Sequence, residues 1–219
     1  MILAIYGTGG SGRESQEIAN SINMLQHRWD SILFVDDYDF DRTLHGSDVV
    51  SFDQLCSAYS NDDVEFIIAV GEPSSRQLLC EKVQAKGFEL ATIVHPSAFV
   101  SPSARIGRGV LIKMQTIVSS DAVVGDNSFI QANVIVGHDV QVGAHSQISA
   151  YSHIAGGAIL GSRTYLGVRS SIRECCVLGD DVLVAMGAVV MEKKVPSNVL
   201  ALGNPAKYVR RKPGSKVFS

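Results

Sequence analysis

Cysteine is scarce in this 219-residue sequence, and its four cysteines form no spaced framework. They are Cys56, Cys80, Cys175 and Cys176, and no two of them make the CxxC pair used in zinc or redox sites. Secreted domains held together by disulfides are usually richer in cysteine. The sequence therefore predicts reduced thiols and a cytoplasmic protein.

Long apolar runs and an overall excess of positive charge are also missing. No stretch approaches the roughly 20 apolar residues that span a membrane, and the first ten residues, MILAIYGTGG, lack the charged start of a signal peptide. The formal net charge is −3, so the chain as a whole lacks the excess of positive charge that is typical of nucleic-acid-binding proteins. We therefore expect neither a membrane nor a nucleic acid as a partner.

Positive charge is nevertheless concentrated at one end of the chain. The last 27 residues contain seven Lys and Arg residues and no Asp or Glu. A solvated basic tail is the simpler interpretation of this stretch. The alternative is a site for a phosphorylated cofactor.

The sequence does contain a repeat of six residues that runs without interruption from Val94 to Val190. Val, Ile or Leu occupies all seventeen positions at this spacing, and the fourth residue after each of the first sixteen is small or β-branched. A period of six fits neither a helix nor a simple strand. It fits a three-sided prism in which each face takes one hexad, so that one coil uses about 18 residues.

Such a prism predicts where each side chain lies. The aliphatic residue points inward, the small residue fits a tight corner, and successive coils stack as parallel strands. Seventeen hexads make nearly six coils. The period does not determine the handedness of the winding, although parallel crossovers are generally right-handed.

The residues before the repeat alternate between strand and helix signals. Strands are predicted at 2–6, 32–35 and 64–70, and helices at 13–26 and 74–86, which together indicate a small parallel α/β sheet.

A glycine-rich turn follows the first of these strands. Gly7, Gly9 and Gly12 match GxGxxG, and Asp36 and Asp37 end the next strand. This context predicts a phosphate held by backbone amides at a helix N-terminus. About 92 residues are too few for the two βαβ halves that bind NAD, so a mononucleotide or nucleotide-sugar diphosphate fits better. A tight turn without a ligand is the alternative.

The best candidate for chemistry in the repeat is Gly137-His138-Asp139. His138 can act as a base near neutral pH, and Asp139 could fix its tautomer, provided that a corner brings the two adjacent side chains together. His145 and His153 are interpreted as surface or interface residues. Their spacings differ from those of zinc carbonic anhydrases built on the same prism, so no metal is expected.

A nucleophilic cysteine is a weaker alternative. Cys176 occupies a small inward position of the repeat, and no histidine lies next to Cys175 in the sequence.

The uninterrupted hexads, the glycine loop, Gly137-His138-Asp139 and the segment 203–207 (GNPAK) together resemble a known family. They are similar to the bacterial nucleotide-sugar acyltransferases that make bacillosamine, viosamine or perosamine derivatives, and to sialic acid O-acetyltransferases. The resemblance implies a small N-terminal half-Rossmann sheet followed by a left-handed parallel β-helix. The implied domains are 1–92, 93–194 and a basic C-terminal segment, 195–219.

The resemblance also assigns residues to roles. His138 would be the general base, Asp139 its polarising partner and Gly156 the amide that receives the thioester oxygen. Independently of the resemblance, Gly156 follows His138 by 18 residues and should lie one coil above it.

Substrate contacts are implied in the same way. Gln131 would contact the sugar. The diphosphate would be held by Gly9, Gly10, Ser11 and Gly12, the base or ribose by Asp36 and Asp37, and coenzyme A by Gly203, Asn204, Pro205 and Lys207. Bacillosamine enzymes often have histidine at the position of Ser11, so the diphosphate contacts are expected to differ here.

The implied activity is acetyl transfer from acetyl-CoA to the 4-amino group of a UDP- or dTDP-linked 4-amino-4,6-dideoxy sugar. Such a reaction serves the biosynthesis of cell-surface polysaccharides, and the implied assembly is a homotrimer. The alternatives are a sugar O-acetyltransferase and a non-catalytic scaffold that binds nucleotide-sugar. The sequence does not distinguish the sugar, the base or the length of the acyl group.

Overall fold

The computed structural model describes residues 1–212 and 215–218. Pro213, Gly214 and Ser219, which belong to the expected C-terminal segment, lie outside the described residues. None of the helices in the described part of the chain has the length and apolar character required to cross a membrane.

The first part of the chain folds into a six-stranded sheet with three helices. Its elements are β1 (Ile2–Tyr6), α1 (Gly10–Gln26), β2 (Ser31–Val35), β3 (Arg42–Leu44), β4 (Ser47–Val50), α2 (Phe52–Ala58), β5 (Val64–Ile68), α3 (Pro73–Ala85) and β6 (Glu89–Leu90). The strand order is β3-β4-β2-β1-β5-β6, and every pair is parallel except β3 with β4. The predicted parallel α/β sheet is confirmed.

The two faces of this sheet bury different partners because side chains alternate along β1. Leu3 and Ile5 belong to a buried cluster that includes α1 residues and three residues of the repeat, Ile93, Leu111 and Phe129. Ala4 and Tyr6 point to the other side, into a cluster rich in phenylalanine. One face of the sheet is therefore covered by α1 and the prism.

The repeat folds into the predicted prism, with three parallel sheets as its faces. Face 1 contains β7 (Ile93–Val94), β10 (Leu111–Ile112), β13 (Phe129–Ile130), β16 (Gln147–Ile148), β19 (Tyr165–Leu166) and β22 (Leu183–Val184). Face 2 contains β8 (Phe99–Val100), β11 (Ile117–Val118), β14 (Ile135–Val136), β17 (His153–Ile154), β20 (Ser171–Ile172) and β23 (Val189–Val190). Face 3 contains β9 (Arg105–Ile106), β12 (Val123–Val124), β15 (Gln141–Val142), β18 (Ile159–Leu160), β21 (Val177–Leu178) and β24 (Lys194–Val195).

From β7 to β23, neighbouring strands of each face pair at a register of 18 residues. Ile112 pairs with Val94 and with Ile130, for example, and all three are aliphatic positions of the hexad. From Ile112 to Val190 every one of these aliphatic residues is buried. We number the coils from one, which begins at β7, to six, which begins at β22, and call the corners edge 1–2, edge 2–3 and edge 3–1 after the faces they join.

The corners are built by a residue in the left-handed region, three positions after each aliphatic residue. Positive φ recurs every six residues from Gly109 to Gly187, and only three of these fourteen positions are glycine. Asn and Asp, which tolerate this region best among the other residues, occupy five of them. Each corner therefore turns the chain sharply enough for consecutive side chains to lie on the same outer edge.

The stacking continues beyond the expected limit at 194. β24 pairs with β21 at a register of 17, and β25 (Val199–Leu202) pairs with β22 on face 1. The antiparallel strand β26 (Lys207–Arg210) then adds to β25 and closes this end. The division of the chain at 92 and 194 stays a prediction, while the strands themselves extend further.

A buried arginine joins the sheet domain to the prism. The Arg76 side chain has no exposed surface, and its guanidinium donates to the carbonyl oxygens of Ile68 (2.7 Å), Val70 (2.8 Å) and Asn127 (2.7 Å). It also donates to Asn127 Oδ1 at 3.0 Å, and Asn127 Nδ2 donates back to the Arg76 carbonyl. Since Asn127 is the corner residue of edge 3–1 that ends coil two, this network fixes the end of β5 against that corner.

Replacing Arg76 with alanine should destabilise the protein, because three buried carbonyl groups would lose their donor. We expect the free energy of unfolding to fall by about 2–4 kcal/mol. The measurement is chemical denaturation at fixed protein concentration. Arg105→Ala is the matched control, since Arg105 is exposed on β9. An equal, small effect of both substitutions would contradict the role given to Arg76.

Candidate active site

The glycine loop between β1 and α1 is tight at its ends and open at its centre. Gly7 has φ of +117°, and a side chain on Gly12 would overlap the Gly7 carbonyl oxygen, so these glycines close the turn. An added Cβ on Gly9 or Gly10 would have no atom within 4 Å. α1 begins at Gly10, and Gly9 provides no side-chain cap. The first-turn amides, including that of Ser11, therefore border open space suited to an anion.

Asp36 holds the loop after β2 close to the glycine loop. Its Oδ2 accepts from Thr8 Oγ1 at 2.6 Å, and its Oδ1 accepts from the amides of Tyr38 (3.0 Å) and Asp39 (3.2 Å). Partial burial opposes ionisation, but these hydrogen bonds outweigh it and lower the pKa of the Asp36 carboxyl. Asp36 is thus an anion at the rim of the open space.

The Asp37 carboxylate is engaged in hydrogen bonds within the sheet domain. It accepts hydrogen bonds from Tyr6 Oη (2.5 Å), Lys82 Nζ (2.6 Å) and the Phe52 amide (3.1 Å). Burial alone raises the pKa of Asp37, but these donors lower it below its usual range. Burial and the nearby Asp37 in turn raise the pKa of Tyr6. The structure therefore separates the two aspartates that the sequence treats as a pair.

The first turns of α1 contact edge 1–2 at coil two. Arg28, just after the helix, donates to the Thr92 carbonyl at 2.9 Å, whereas Glu14, in the second turn, pairs with Lys113 of coil two. Gln131 lies on the same edge one coil beyond Lys113. Gly10 precedes Glu14 by about one turn, roughly 6 Å, so the open end of the loop lies one turn beyond the Glu14–Lys113 contact.

His138 and Asp139 form a pair at edge 2–3. Asp139 is the left-handed corner residue, with φ of 58°, and the corner brings its Oδ2 to 2.7 Å from His138 Nδ1. The corner required for this contact is therefore present. Because Nδ1 is occupied by the carboxylate, Nε2 is the ring nitrogen free to accept a proton. Both side chains are exposed in the single chain.

Gly156 lies directly above the imidazole, as the 18-residue register requires. A Cβ added to Gly156 would be 2.5 Å from His138 Nε2, so only glycine leaves this space free. The Gly157 amide donates to the His138 carbonyl at 2.8 Å. Among the hydrogen bonds of the described residues, none uses the Gly156 amide as donor.

The predicted sugar contact and the predicted base lie on different edges. Gln131 is on edge 1–2 with the sheet domain, and His138 is on edge 2–3, with the width of face 2 between them. Gln131 Oε1 accepts from the Ala150 amide at 3.2 Å. Within one chain the structure brings His138, Asp139 and Gly156 together, but it leaves the glycine loop and Gln131 apart from them.

The GNPAK turn packs at the end of face 2. The Gly203 carbonyl accepts a hydrogen bond from the Val189 amide at 3.0 Å, and the Ala206 amide donates to the Val189 carbonyl at 2.8 Å. The side chains of Asn204, Pro205 and Lys207 are exposed. β23, which carries Val189, is three strands from β14, which leads to His138. Three strand spacings are about 14 Å.

Two other histidines are held in different ways. His145 is partly buried, and its Nδ1 lies 3.0 Å from Asn127 Nδ2. Burial and the nearby Arg76 lower the pKa of His145, which suits a neutral ring in the domain contact. His153 is exposed on β17.

Neither cysteine of the adjacent pair resembles a nucleophile. Burial raises the pKa of the Cys176 thiol to about 11, and Cys175 is an exposed corner residue one coil above Gly157. In residues 1–212 and 215–218, no three His, Cys, Asp or Glu side chains are placed to hold a metal ion.

Several residues at the site carry no sequence motif. Lys82 reaches Asp37 from 45 residues away, and Lys113 meets Glu14 across 99 residues. Tyr38 stands exposed beside Asp36. The place of Tyr38 directly after the two aspartates was the one signal in the sequence that could have drawn attention to it.

Two family descriptions match consecutive parts of the chain. Residues 2–83 match the PglD N-terminal domain, and residues 88–201 match the GMPPB C-terminal domain. The second match covers more than half of the chain.

Among solved structures, the chain is similar to a histidine-to-asparagine variant of the perosamine N-acetyltransferase from Caulobacter crescentus, in complex with CoA and GDP-perosamine. The sequence identity is 31%, the TM-score is 0.87, and the match covers 95% of this chain and 97% of that one.

Curated relatives match over shorter segments. The UDP-N-acetylbacillosamine N-acetyltransferase of Bacillus subtilis (strain 168) is 48% identical over 50 residues, and the GDP-perosamine N-acetyltransferase of Escherichia coli O157:H7 is 30% identical over 112 residues. These matches cover 23% of this chain and 23% of the first relative, and 51% of this chain and 50% of the second.

The near-complete match to the Caulobacter structure agrees with the observed fold, a parallel sheet joined to a hexapeptide prism. The chain belongs to the family of hexapeptide-repeat nucleotide-sugar N-acetyltransferases that includes the bacillosamine and perosamine enzymes.

Proposed function

We propose that the protein transfers the acetyl group of acetyl-CoA to the 4-amino group of a nucleotide-linked 4-amino-4,6-dideoxy sugar. The observation that carries this proposal is the His138–Asp139 pair directly beneath the amide of Gly156. UDP and dTDP are the nucleotides expected from the resemblance. GDP is added as a candidate because the Caulobacter relative binds GDP-perosamine.

In the proposed reaction the sugar amine attacks the thioester carbonyl directly. A protonated amine has no lone pair, so the amine attacks in its neutral form, and its nitrogen must lose a proton as the bond to carbon forms. Nε2 of His138 takes that proton, while Asp139 stabilises the ring as it becomes positively charged. The amide of Gly156 donates to the oxygen that gains negative charge. The C–S bond then breaks, the imidazolium of His138 returns its proton to the departing sulfur, and the products are the amide and the free thiol of CoA.

Coenzyme A would lie along edge 2–3 and the end of face 2. Its thioester must reach Gly156, and the GNPAK turn is about three strand spacings, roughly 14 Å, further along. That separation suits an extended pantetheine arm. Lys207, exposed in the turn, is a suitable partner for a phosphate of the cofactor.

The nucleotide-sugar would come from a neighbouring chain. Its diphosphate lies at the glycine loop on edge 1–2, yet the base lies on edge 2–3, so one chain alone does not assemble both halves. A threefold axis parallel to the prism brings edge 1–2 of one copy to edge 2–3 of the next when face 2 lines the axis. This rotation does not change the position of a residue along the prism axis. Because Gln131 and His138 belong to the same coil, they would lie at the same level in neighbouring chains.

The outer surface of face 2 supports this arrangement. Phe99, Ile117 and Ile135 stand one above another on adjacent strands and point outward, with exposed fractions of 58%, 41% and 39%. Such an apolar column on a single chain is suited to burial against two further copies. We therefore propose a homotrimer with its active sites between chains.

Replacing His138 with alanine should lower kcat by about 10²- to 10⁴-fold, because general-base catalysis would be lost. The affinities for both substrates should change little, and Asp139→Asn should show a smaller loss of kcat. The measurement is release of CoA thiol with a panel of nucleotide-linked amino and hydroxyl sugars, which also distinguishes N- from O-acetylation.

Cys175→Ser is the control for this assay, since Cys175 is exposed on the same edge without a proposed role. Retention of more than about a tenth of the wild-type kcat in His138→Ala would place the base elsewhere.

Gly10→Val should abolish binding of the nucleotide-sugar, because its side chain would enter the open space at the start of α1, where an added Cβ meets no atom within 4 Å. Calorimetry with UDP, dTDP and GDP measures the effect, and binding of CoA should be unchanged. Asn20→Val, at an exposed position of the same helix, controls for the lower helix propensity of valine. Tight binding of NAD by the wild type would count against the proposal.

Mixing two inactive variants should restore activity if the site lies between chains. In a trimer assembled from His138→Ala and Gly10→Val chains, one interface in three joins an intact loop to an intact base. Random assembly of equal amounts should therefore recover about a quarter of the wild-type activity. Each variant taken alone through the same procedure is the control, and no recovery in proven mixed trimers would exclude the intersubunit site.

The apolar column predicts which face forms the trimer. Ile117→Asp should give monomers in light scattering at micromolar concentration, because a buried unpaired carboxylate is costly. Ile159→Asp is the matched control, since Ile159 points outward from face 3 with an exposed fraction of 39%. A monomeric wild type, or dissociation by Ile159→Asp alone, would contradict the arrangement.

A further inference from the structure

Tyr38 stands almost entirely in solvent. Its exposed fraction is 97%, the highest of the large apolar and aromatic residues in the described part of the chain. Neither the predicted catalytic pair nor the glycine loop accounts for it. An aromatic ring left in water beside a binding site is a candidate for contact with a ligand.

The backbone beneath this free ring is held in place. The Tyr38 amide donates to Asp36 Oδ1 at 3.0 Å, and the next amide, that of Asp39, donates to the same oxygen at 3.2 Å. Asp39 in turn pairs with Arg42 at 2.8 Å, and the Asp41 amide donates to the Val49 carbonyl at 3.0 Å. These hydrogen bonds therefore fix the backbone of the loop that carries the Tyr38 ring.

The position of this loop matches the nucleoside end of the ligand. In parallel sheets, ligands bind beyond the carboxyl ends of the strands, and a diphosphate at the loop after β1 directs its ribose toward the end of β2. Thr8 Oγ1 and Asp36 Oδ2, 2.6 Å apart, join these two loops directly. Asp36 thus lies at the position expected for the ribose. Tyr38 lies two residues further along the loop, at the position expected for the nucleobase.

The polar groups around Tyr38 are engaged within the protein. Asp37 is bound by Tyr6, Lys82 and the Phe52 amide, and Asp41 accepts from Gln54 Nε2 at 2.8 Å. An aromatic face remains as the available surface for the base.

We propose that Tyr38 stacks on the nucleobase of the nucleotide-sugar. This inference rests on the proposed function, since it requires a nucleotide at the glycine loop. Stacking is tolerant of base identity because every base has a π-face. Tyr38 should therefore contribute to the binding of any nucleotide that the site accepts.

The test is calorimetry of wild-type protein and variants with UDP, dTDP, GDP, pyrophosphate and CoA. Tyr38→Ala should weaken the binding of each nucleotide that the wild type binds by about fivefold or more, since stacking of one base corresponds to roughly 5- to 150-fold in affinity. Tyr38→Phe should bind like the wild type, because the ring is kept. Tyr59→Ala, with an exposed tyrosine at the end of α2, is the matched control.

Pyrophosphate separates this inference from the proposed function. It has no base, so its affinity should fall in Gly10→Val and stay unchanged in Tyr38→Ala. Nucleotide affinities in Tyr38→Ala within about twofold of the wild type would overturn the stacking role alone. An equal loss in Tyr38→Phe would assign the contact to the hydroxyl and overturn it too. A wild type that binds none of the three nucleotides would overturn both proposals.

Discussion

Parallel backbone hydrogen bonds between residues 18 apart are the constraint on which the rest of this molecule depends. From β7 to β23 every coil stacks on the next in this register, and the register decides which side chains meet on the outer edges. It places Gly156 over the imidazole of His138, where any Cβ would collide. The same constraint forces a left-handed corner at Asp139, and that corner turns the carboxylate onto the ring. The arrangement proposed for catalysis thus follows from the geometry of the repeat.

The sequence was informative where local spacing determines structure. The hexads from Val94 to Val190 predict the prism and its 18-residue coil, and GxGxxG after an apolar strand predicts the loop at the start of α1. The sequence pattern does not reveal the left-handed corners, because many residue types fill them, whereas Val, Ile or Leu fills every inward aliphatic position.

Contacts between distant residues could not be predicted in the same way. Arg76 is part of an ordinary helix in the sequence, but its guanidinium joins β5 to Asn127 across 51 residues. Likewise, nothing local distinguishes Asp36 from Asp37. Their different roles depend on Lys82 and Tyr6, which approach only Asp37 after folding. The distribution of the candidate site over two edges is also a property of the folded prism.

The prism also takes the place of the missing second half of the nucleotide-binding sheet. In the single βαβ half, one face of the sheet and α1 would be left partly uncovered. Here Ile93, Leu111 and Phe129 of face 1 complete that core. This packing fixes α1 against face 1, with the Glu14–Lys113 contact at coil two. The position of the glycine loop relative to the prism is therefore set by the same apolar contact that completes the core of the sheet.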